Sequence, residues 1–220
     1  MLIPTLSPRG QARFGSATVI DPSHPQRAEV EAFIAGVYAE KYGAQLRSFL
    51  PELLAFRRAD GELQAAVGIR RAQDAPLFVE QYLDASAEAT LATSRGIVAR
   101  RDQLVEVGNF AAMSPGDARE LIVQLTGILH AAGSRWVLFA ATRQLRNAFD
   151  RLHLGTVELA PARRERLRDD QTEWGRYYES NPCVLFGDIA AGHAFLRRSA
   201  EDPGQAVAPV RPHAFALAHR

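Results

Sequence analysis

The chain holds one cysteine, Cys183, one lysine, Lys41, and no long apolar run. A lone cysteine excludes an internal disulfide and gives no sign of an oxidising compartment. No segment approaches the roughly 18 consecutive apolar residues of a membrane span. Neither sign of charge dominates: 26 Lys and Arg stand against 25 Asp and Glu, for a formal net charge of +1. No global field therefore favours nucleic acid or an anionic membrane. Residues 1–16 lack a basic start followed by an apolar stretch, so no signal peptide is expected and the expected location is cytoplasmic. The histidines, His24, His130, His153, His193, His213 and His219, show no ligand spacing, and there is no paired cysteine, so no metal is expected. A Gly-x-Ser-x-Gly elbow is missing too, which removes the commonest serine-hydrolase signature.

What is present is an ordinary globular balance, 47% hydrophobic and 23% charged, in 220 residues. That length supports one sizeable core. Residues 1–15 and 199–220 are rich in Pro, Gly, Arg and Ala without periodicity and read as tails around one domain over 16–198. Ser16 to Ile20 reads as a strand. From His24 to Tyr42, Val30, Phe33, Ile34, Val37 and Tyr38 recur at helical steps, and Gly43 is placed to end the helix. Leu53–Arg57 and Leu63–Ile69 flank Asp60-Gly61, a hairpin signal. Pro76–Leu83 reads as a further extended segment and Ala85–Thr93 as a helix. Leu104–Met113 is a strand, and Ser114 and Pro115 then suit the N-cap and first position of a helix running to Ala132. Arg135–Ala140 is apolar enough for a strand buried on both faces. Leu145–Leu154 follows as a helix, with strands at Thr156–Leu159 and Cys183–Ile189. Antiparallel strands in front and helix-linked strands behind predict an α/β (α+β) mixed sheet with helices on both faces.

Two sets of residues carry a resemblance. Asn147-Ala148-Phe149-Asp150-Arg151-Leu152-His153-Leu154, directly after the apolar strand, resembles the penultimate helix of the GNAT acyltransferases. Tyr38 to Ala44, Leu77 to Asp84, Val105 to Ala111 and Trp174 to Tyr178, in that order, resemble the thermostable hemolysin family across roughly residues 16 to 192. Within the third stretch, Glu106-Val107-Gly108-Asn109-Phe110 is similar to the Glu-x-Ser-Arg-Phe strand of acyl-homoserine lactone synthases, with Gly108 for the Ser and Asn109 for the Arg. Those enzymes share the GNAT fold and move an acyl chain from a carrier to an amine. The resemblance thus implies a GNAT-like mixed sheet and transfer of a fatty acyl group, from an acyl carrier protein (acyl-ACP) or acyl-CoA thioester, to a small amine or amino acid.

Such a reaction needs a base for the ammonium and donors for the developing oxyanion. Glu106 is the candidate base or amine anchor, since a carboxylate among apolar neighbours has a raised pKa; its bland alternative is an ion pair with one of the many Arg residues. Asn109 is the second catalytic candidate, on the opposite strand face from Glu106 and Gly108 by simple alternation. Glu80, Gln81 and Tyr82, with Glu88 beyond them, are candidates for the acceptor pocket, or else a solvated strand end. Gly108, Thr142, Asn147 and Phe149 complete the substrate-binding set. Phe149 stands where many GNAT enzymes have a Tyr that protonates the leaving thiolate. At the phosphate-binding position of CoA-dependent relatives this chain has Met113-Ser114-Pro115-Gly116-Asp117-Ala118-Arg119, with one glycine and an acid. That pattern favours a carrier protein over CoA, with Arg119, Arg143 and Arg146 as its candidate contacts. The aromatic cluster Trp174 to Tyr178 either walls a tunnel or covers the core. A directly membrane-active haemolytic protein and a catalytically silent binding module are the rival readings.

Overall fold

The computed structural model describes residues 13–168 and 172–201, together with the backbone of residues 2 and 3. A two-residue strand β1 (Leu2–Ile3) pairs with β2 (Ser16–Ile20). Helix α1 (Arg27–Tyr42) buries the predicted stripe of Val30, Ile34, Val37 and Tyr38. It ends at Gly43, whose φ of +66° suits a residue without Cβ. Strands β3 (Glu52–Arg57) and β4 (Leu63–Arg71) form the hairpin turned at Asp60-Gly61. Helix α2 (Ala87–Arg95) starts on the Ser86 hydroxyl, which accepts from the Ala89 amide. Strand β5 (Leu104–Ala112) is followed by α3 (Pro115–Ala131), where the Ser114 side chain accepts from the Asp117 amide as its cap residue should. Strand β6 (Trp136–Ala141), helix α4 (Arg143–Arg151), strands β7 (Val157–Pro161) and β8 (Cys183–Asp188) and helix α5 (Ile189–Glu201) complete the order.

The sheet has eight strands in the order β1-β2-β3-β4-β5-β6-β8-β7, and β5 with β6 is its parallel pair. This is the expected mixed sheet, with helices on both faces. On one face Val105, Val107, Phe139 and Leu185 pack against Leu121, Leu125 and Leu129 of α3 and Ile189 of α5. On the other, Leu53, Ala55, Ala66 and Ala111 lie under α1, while Leu104, Leu138 and Phe186 meet Leu77, Val79 and Leu91.

Three expectations need correction. Pro76–Leu83 is not extended: Phe78–Tyr82 forms a 3-10 turn. Helix α5 went unrecognised, although Ile189, Gly192 and Phe195 are buried at helical spacing and the Asp188 carboxylate accepts from the Ala191 amide. The first fifteen residues are not wholly a tail, because Phe14 is fully buried against Phe56 with ring centroids 5.2 Å apart. The rest of the expected tails, residues 1, 4–12 and 202–220, lies outside the described residues. Among those described, no helix is long and apolar enough to cross a membrane.

Candidate active site

The parallel pair at the centre of the sheet comes apart. Register partners run Leu104 with Trp136, Val105 with Val137 and Glu106 with Leu138, then stop, although both strands continue. The cause lies on the other edge of β5. Gly68 pairs with Gly108, but Ala66 pairs with Ala111, so β5 carries one extra residue. Asn109, with φ +50°, is that bulge residue. Its side-chain oxygen accepts from the Leu50 amide at 2.8 Å, which fixes the bend. The Leu50 side chain covers the two glycines: a Cβ on Gly68 would meet Leu50 Cβ at 2.8 Å, and one on Gly108 would meet Leu50 Cδ1 at 3.0 Å. A cavity of about 630 Å³ opens in the split. Tyr42, Phe78 and Trp174 line it on the α1 side, and Leu125, Phe139 and Phe149 on the α3 side.

Glu106 stands at the last paired position before the split, 2% exposed, and lines this cavity. The Phe78 amide donates to its Oε2 at 2.7 Å and the Val79 amide to its Oε1 at 2.8 Å. Burial pushes its pKa up to about 7 against the pull of those two amides and of the Arg70 charge. A buried carboxylate that titrates near neutrality, within an apolar enclosure, is equipped to take a proton from an amine.

Further polar groups face the same space. Arg70 is opposite Glu106 in the β4–β5 ladder and lines the cavity. Lys41 donates to the Ala112 carbonyl at 3.3 Å, and burial lowers its pKa. Burial raises the Tyr42 hydroxyl, opposed by a hydrogen bond with Thr142. Tyr38 and Tyr177 are also pushed up by burial, which leaves them neutral hydroxyls rather than bases.

The thermostable hemolysin family matches residues 20–193 of this sequence. The chain belongs to the thermostable hemolysin family. No protein of curated function matches this hemolysin-family chain. Among solved structures it is similar to LasI, an acyl-homoserine lactone synthase, at TM-score 0.54 and 13% identity, covering 87% of this chain and 97% of that one. It is similar to FeeM, an N-acyl amino acid synthase from uncultured soil microbes, at TM-score 0.51 and 11% identity, covering 79% and 92%. BjaI, a CoA-dependent acyl-homoserine lactone synthase solved with SAM and isopentyl-CoA, aligns at TM-score 0.55 and 12% identity, covering 84% and 89%. At these identities the likeness is one of fold, and the fold is GNAT-like.

The expected site residues of this hemolysin-family chain divide into two groups. Glu106, Gly108, Asn109 and Tyr82 meet at the cavity, joined from the far side by Thr142, Asn147, Phe149 and Arg119. Asn109 does not lie opposite Glu106. Its Oδ1 approaches Gly68, which shares a face with Gly108 and hence with Glu106, and that oxygen is engaged by Leu50. Simple alternation fails because the bulge inserts a residue. Phe149 stacks on Phe139 at 4.9 Å and has no proton to offer.

Glu80, Gln81 and Glu88 do not line the cavity. Glu80 accepts from the Leu77 and Ala87 amides and pairs with Arg101, which also holds Glu88 at 2.9 Å. Gln81 accepts from the Arg168 amide at 2.9 Å. Their alternation as strand residues was lost with the strand itself. Arg143 is exposed on α4 away from the cavity wall, and Arg146 pairs with Glu158 at 3.7 Å. Sequence reasoning missed Arg70, Leu50 and Tyr42. Arg70 continues the Leu63–Ile69 strand by one residue, but its pairing with Glu106 depends on a β4–β5 register that the sequence does not show. Leu50 had no comparable signal. Among the described residues, no cluster of three metal-ligating side chains occurs.

Proposed function

We propose that this chain is an N-acyltransferase that moves a fatty acyl group from an acyl carrier protein thioester to the nitrogen of a small amine or amino acid. The observation that carries the reading is Glu106: a buried carboxylate, pKa near 7, at the mouth of the β5–β6 split and on the wall of a largely apolar cavity. The acyl chain fits the α3 side, among Leu125, Leu129, Phe139 and Phe149. The acceptor fits the α1 side beside Glu106. An ammonium group gives up one proton to Glu106, and its nitrogen attacks the thioester carbonyl. The carbon–sulfur bond breaks, the amide forms, and the second nitrogen proton passes to the departing thiolate. Beyond Glu106 the facing edges of β5 and β6 have no ladder partners, and backbone N–H groups there would serve the oxyanion.

The donor preference rests on the start of α3. Asp117, 6% exposed, fills that helix end with its own carboxylate, which accepts from Ser114 Oγ at 2.5 Å and from Arg13 at 3.2 Å. A CoA pyrophosphate would find that helix end already taken by the Asp117–Arg13 ion pair, whereas the arm of a carrier protein brings no pyrophosphate to place there. Arg119, Arg143 and Arg146 remain the proposed carrier contacts. An N-acylated product would be a surfactant, which would account for the haemolytic activity that the family name records. The rival of direct insertion by α1 loses support, because its apolar stripe is buried against the sheet. Incubating the protein with long-chain acyl carrier protein, acyl-CoA and pooled amines and amino acids, with mass spectrometry for free thiol and acylated product, tests the reading. Turnover with the carrier donor is expected; none with any donor and acceptor would sink it.

A further inference from the structure

Glu106 is one of two charges set side by side on the cavity wall, and the second is uncommitted. Arg70 is the direct ladder partner of Glu106, on the same face of the sheet. Its neighbours in the fold are engaged: Arg71 pairs with Glu52 at 3.8 Å, and Arg101 holds Glu80 and Glu88. Arg70 makes no such pair among the described residues, and Glu106 feels its charge without an ion-pair contact.

The guanidinium is nevertheless held. One terminal nitrogen, Nη1, donates to the Pro76 carbonyl at 3.0 Å. Nε is buried and has no hydrogen-bond partner. With Nη1 engaged and Nε enclosed, Nη2 is the guanidinium nitrogen left to donate to a ligand carboxylate in a charge-assisted bond. A buried donor without a partner is costly to the fold, and such orphans call for an explanation. Here it lies beside the carboxylate proposed to receive the amine, and both line one cavity.

We infer that Arg70 binds the carboxylate of the acceptor, so that the acceptor is an α-amino acid rather than a simple amine. The ammonium lies at Glu106 and the carboxylate at Nη2 of Arg70. The side chain faces Leu50, Phe78 and Trp174, which suits an apolar amino acid. The inference rests on Glu106 being the amine's partner, and its test separates the two.

Leucine and phenylalanine are compared with their decarboxylated amines, 3-methylbutylamine and phenethylamine, as acceptors for wild type, Arg70→Met and Arg70→Lys. Calorimetry of leucine and phenylalanine on each protein without donor runs alongside. Wild type is expected to favour the amino acids by at least about 100-fold in kcat/KM, since a site built to bond a polar group rejects the analogue lacking it. Arg70→Met should collapse that ratio through a raised amino-acid KM, and Arg70→Lys should restore part of it. Equal use of amine and amino acid by wild type overturns the inference without any variant. So does an Arg70→Met protein whose donor KM alone rises, which would assign the guanidinium to the donor. If nothing turns over but amino-acid binding is lost in Arg70→Met, the carboxylate site stands and acyl transfer falls. If nothing turns over and neither amino acid binds, both fall.

Discussion

A carboxylate offers about four lone-pair sites, and Glu106 uses one on each oxygen for the amides of Phe78 and Val79. The side chain also lines the cavity. Its pKa, raised by burial to about 7, sets two expectations. As a base it must be ionised, so kcat/KM should rise with pH through an acidic limb near 7. Glu106→Gln should lose that limb along with about 100- to 10,000-fold of the rate. A variant with full activity and the same pH profile would remove Glu106 from the chemistry. The second expectation concerns stability. A raised folded pKa means that the native state keeps a proton which the unfolded chain releases from about pH 4.5 upward. The contribution is therefore fully present below that value and lost as pH rises through about 7, by roughly 3 kcal/mol at most. Denaturant melts at pH 5 and pH 8 should show a larger fall for wild type than for Glu106→Gln.

The neighbouring glycines answer to a different constraint. A Cβ at Gly68 would sit 2.8 Å from the Cβ of Leu50, the root of a side chain rather than its flexible end. Gly68→Ala should therefore cost about 1–3 kcal/mol, read as a lowered denaturation midpoint. Gly68→Ala combined with Leu50→Gly, which removes that Cβ, should recover part of the overpacking loss, while a single variant as stable as wild type would show that Leu50 does not press on the sheet.

At the scale of elements, the segment between β4 and α2 is organised by two carboxylates, Glu106 from outside its turn and Glu80 within it. Glu106 receives the first amides of the 3-10 turn, and Glu80 ties that turn to α2 while Arg101 grips Glu80, Glu88 and the Ala72 carbonyl. Local pattern could not show this. Pro76 to Leu83 looks extended, and the long-range acceptor at Glu106, together with the Glu80 carboxylate on the Leu77 amide, draws it into a turn. The same limit explains Asn109, since a bulge is invisible to strict alternation, and Leu50, whose meaning depends on two glycines from other strands. By contrast α1, α3 and the β3–β4 hairpin were legible because their signals, Gly43, Ser114-Pro115 and Asp60-Gly61, are local. Arg101 acts as a positioning residue in this scheme. Arg101→Met should loosen the turn, weaken the two amide bonds to Glu106 and push the acidic limb of kcat/KM to higher pH. Arg101→Lys should restore part of the shift. A limb that stays in place in Arg101→Met, despite lost stability, would confine Arg101 to a structural role.

Across the whole molecule, the cavity lies where the central parallel pair divides, lined by Tyr42, Phe78 and Trp174 on the α1 side and by Leu125, Leu129, Phe139 and Phe149 on the α3 side. Helix α5 matters for this shape although its sequence was read as leading into a tail. Gly192 lies on the cavity wall, where a Cβ would touch Leu154 Cδ2 at 3.5 Å and Thr126 Cγ2 at 3.7 Å, both ordinary contacts. Gly192→Ala should thus stabilise the protein, by up to about 1 kcal/mol from helix propensity. A longer side chain has only the cavity to enter, so Gly192→Leu should shorten the acyl chain the enzyme accepts. Because a single methylene in an apolar pocket changes discrimination by about 10- to 200-fold, the ratio of kcat/KM for medium- over long-chain acyl donors should rise at least about ten-fold. Competition between acyl carrier proteins loaded with different chains measures it directly. An unchanged ratio, in a Gly192→Leu protein whose melting matches that of Gly192→Ala, would place the acyl chain on the α1 side of the cavity instead.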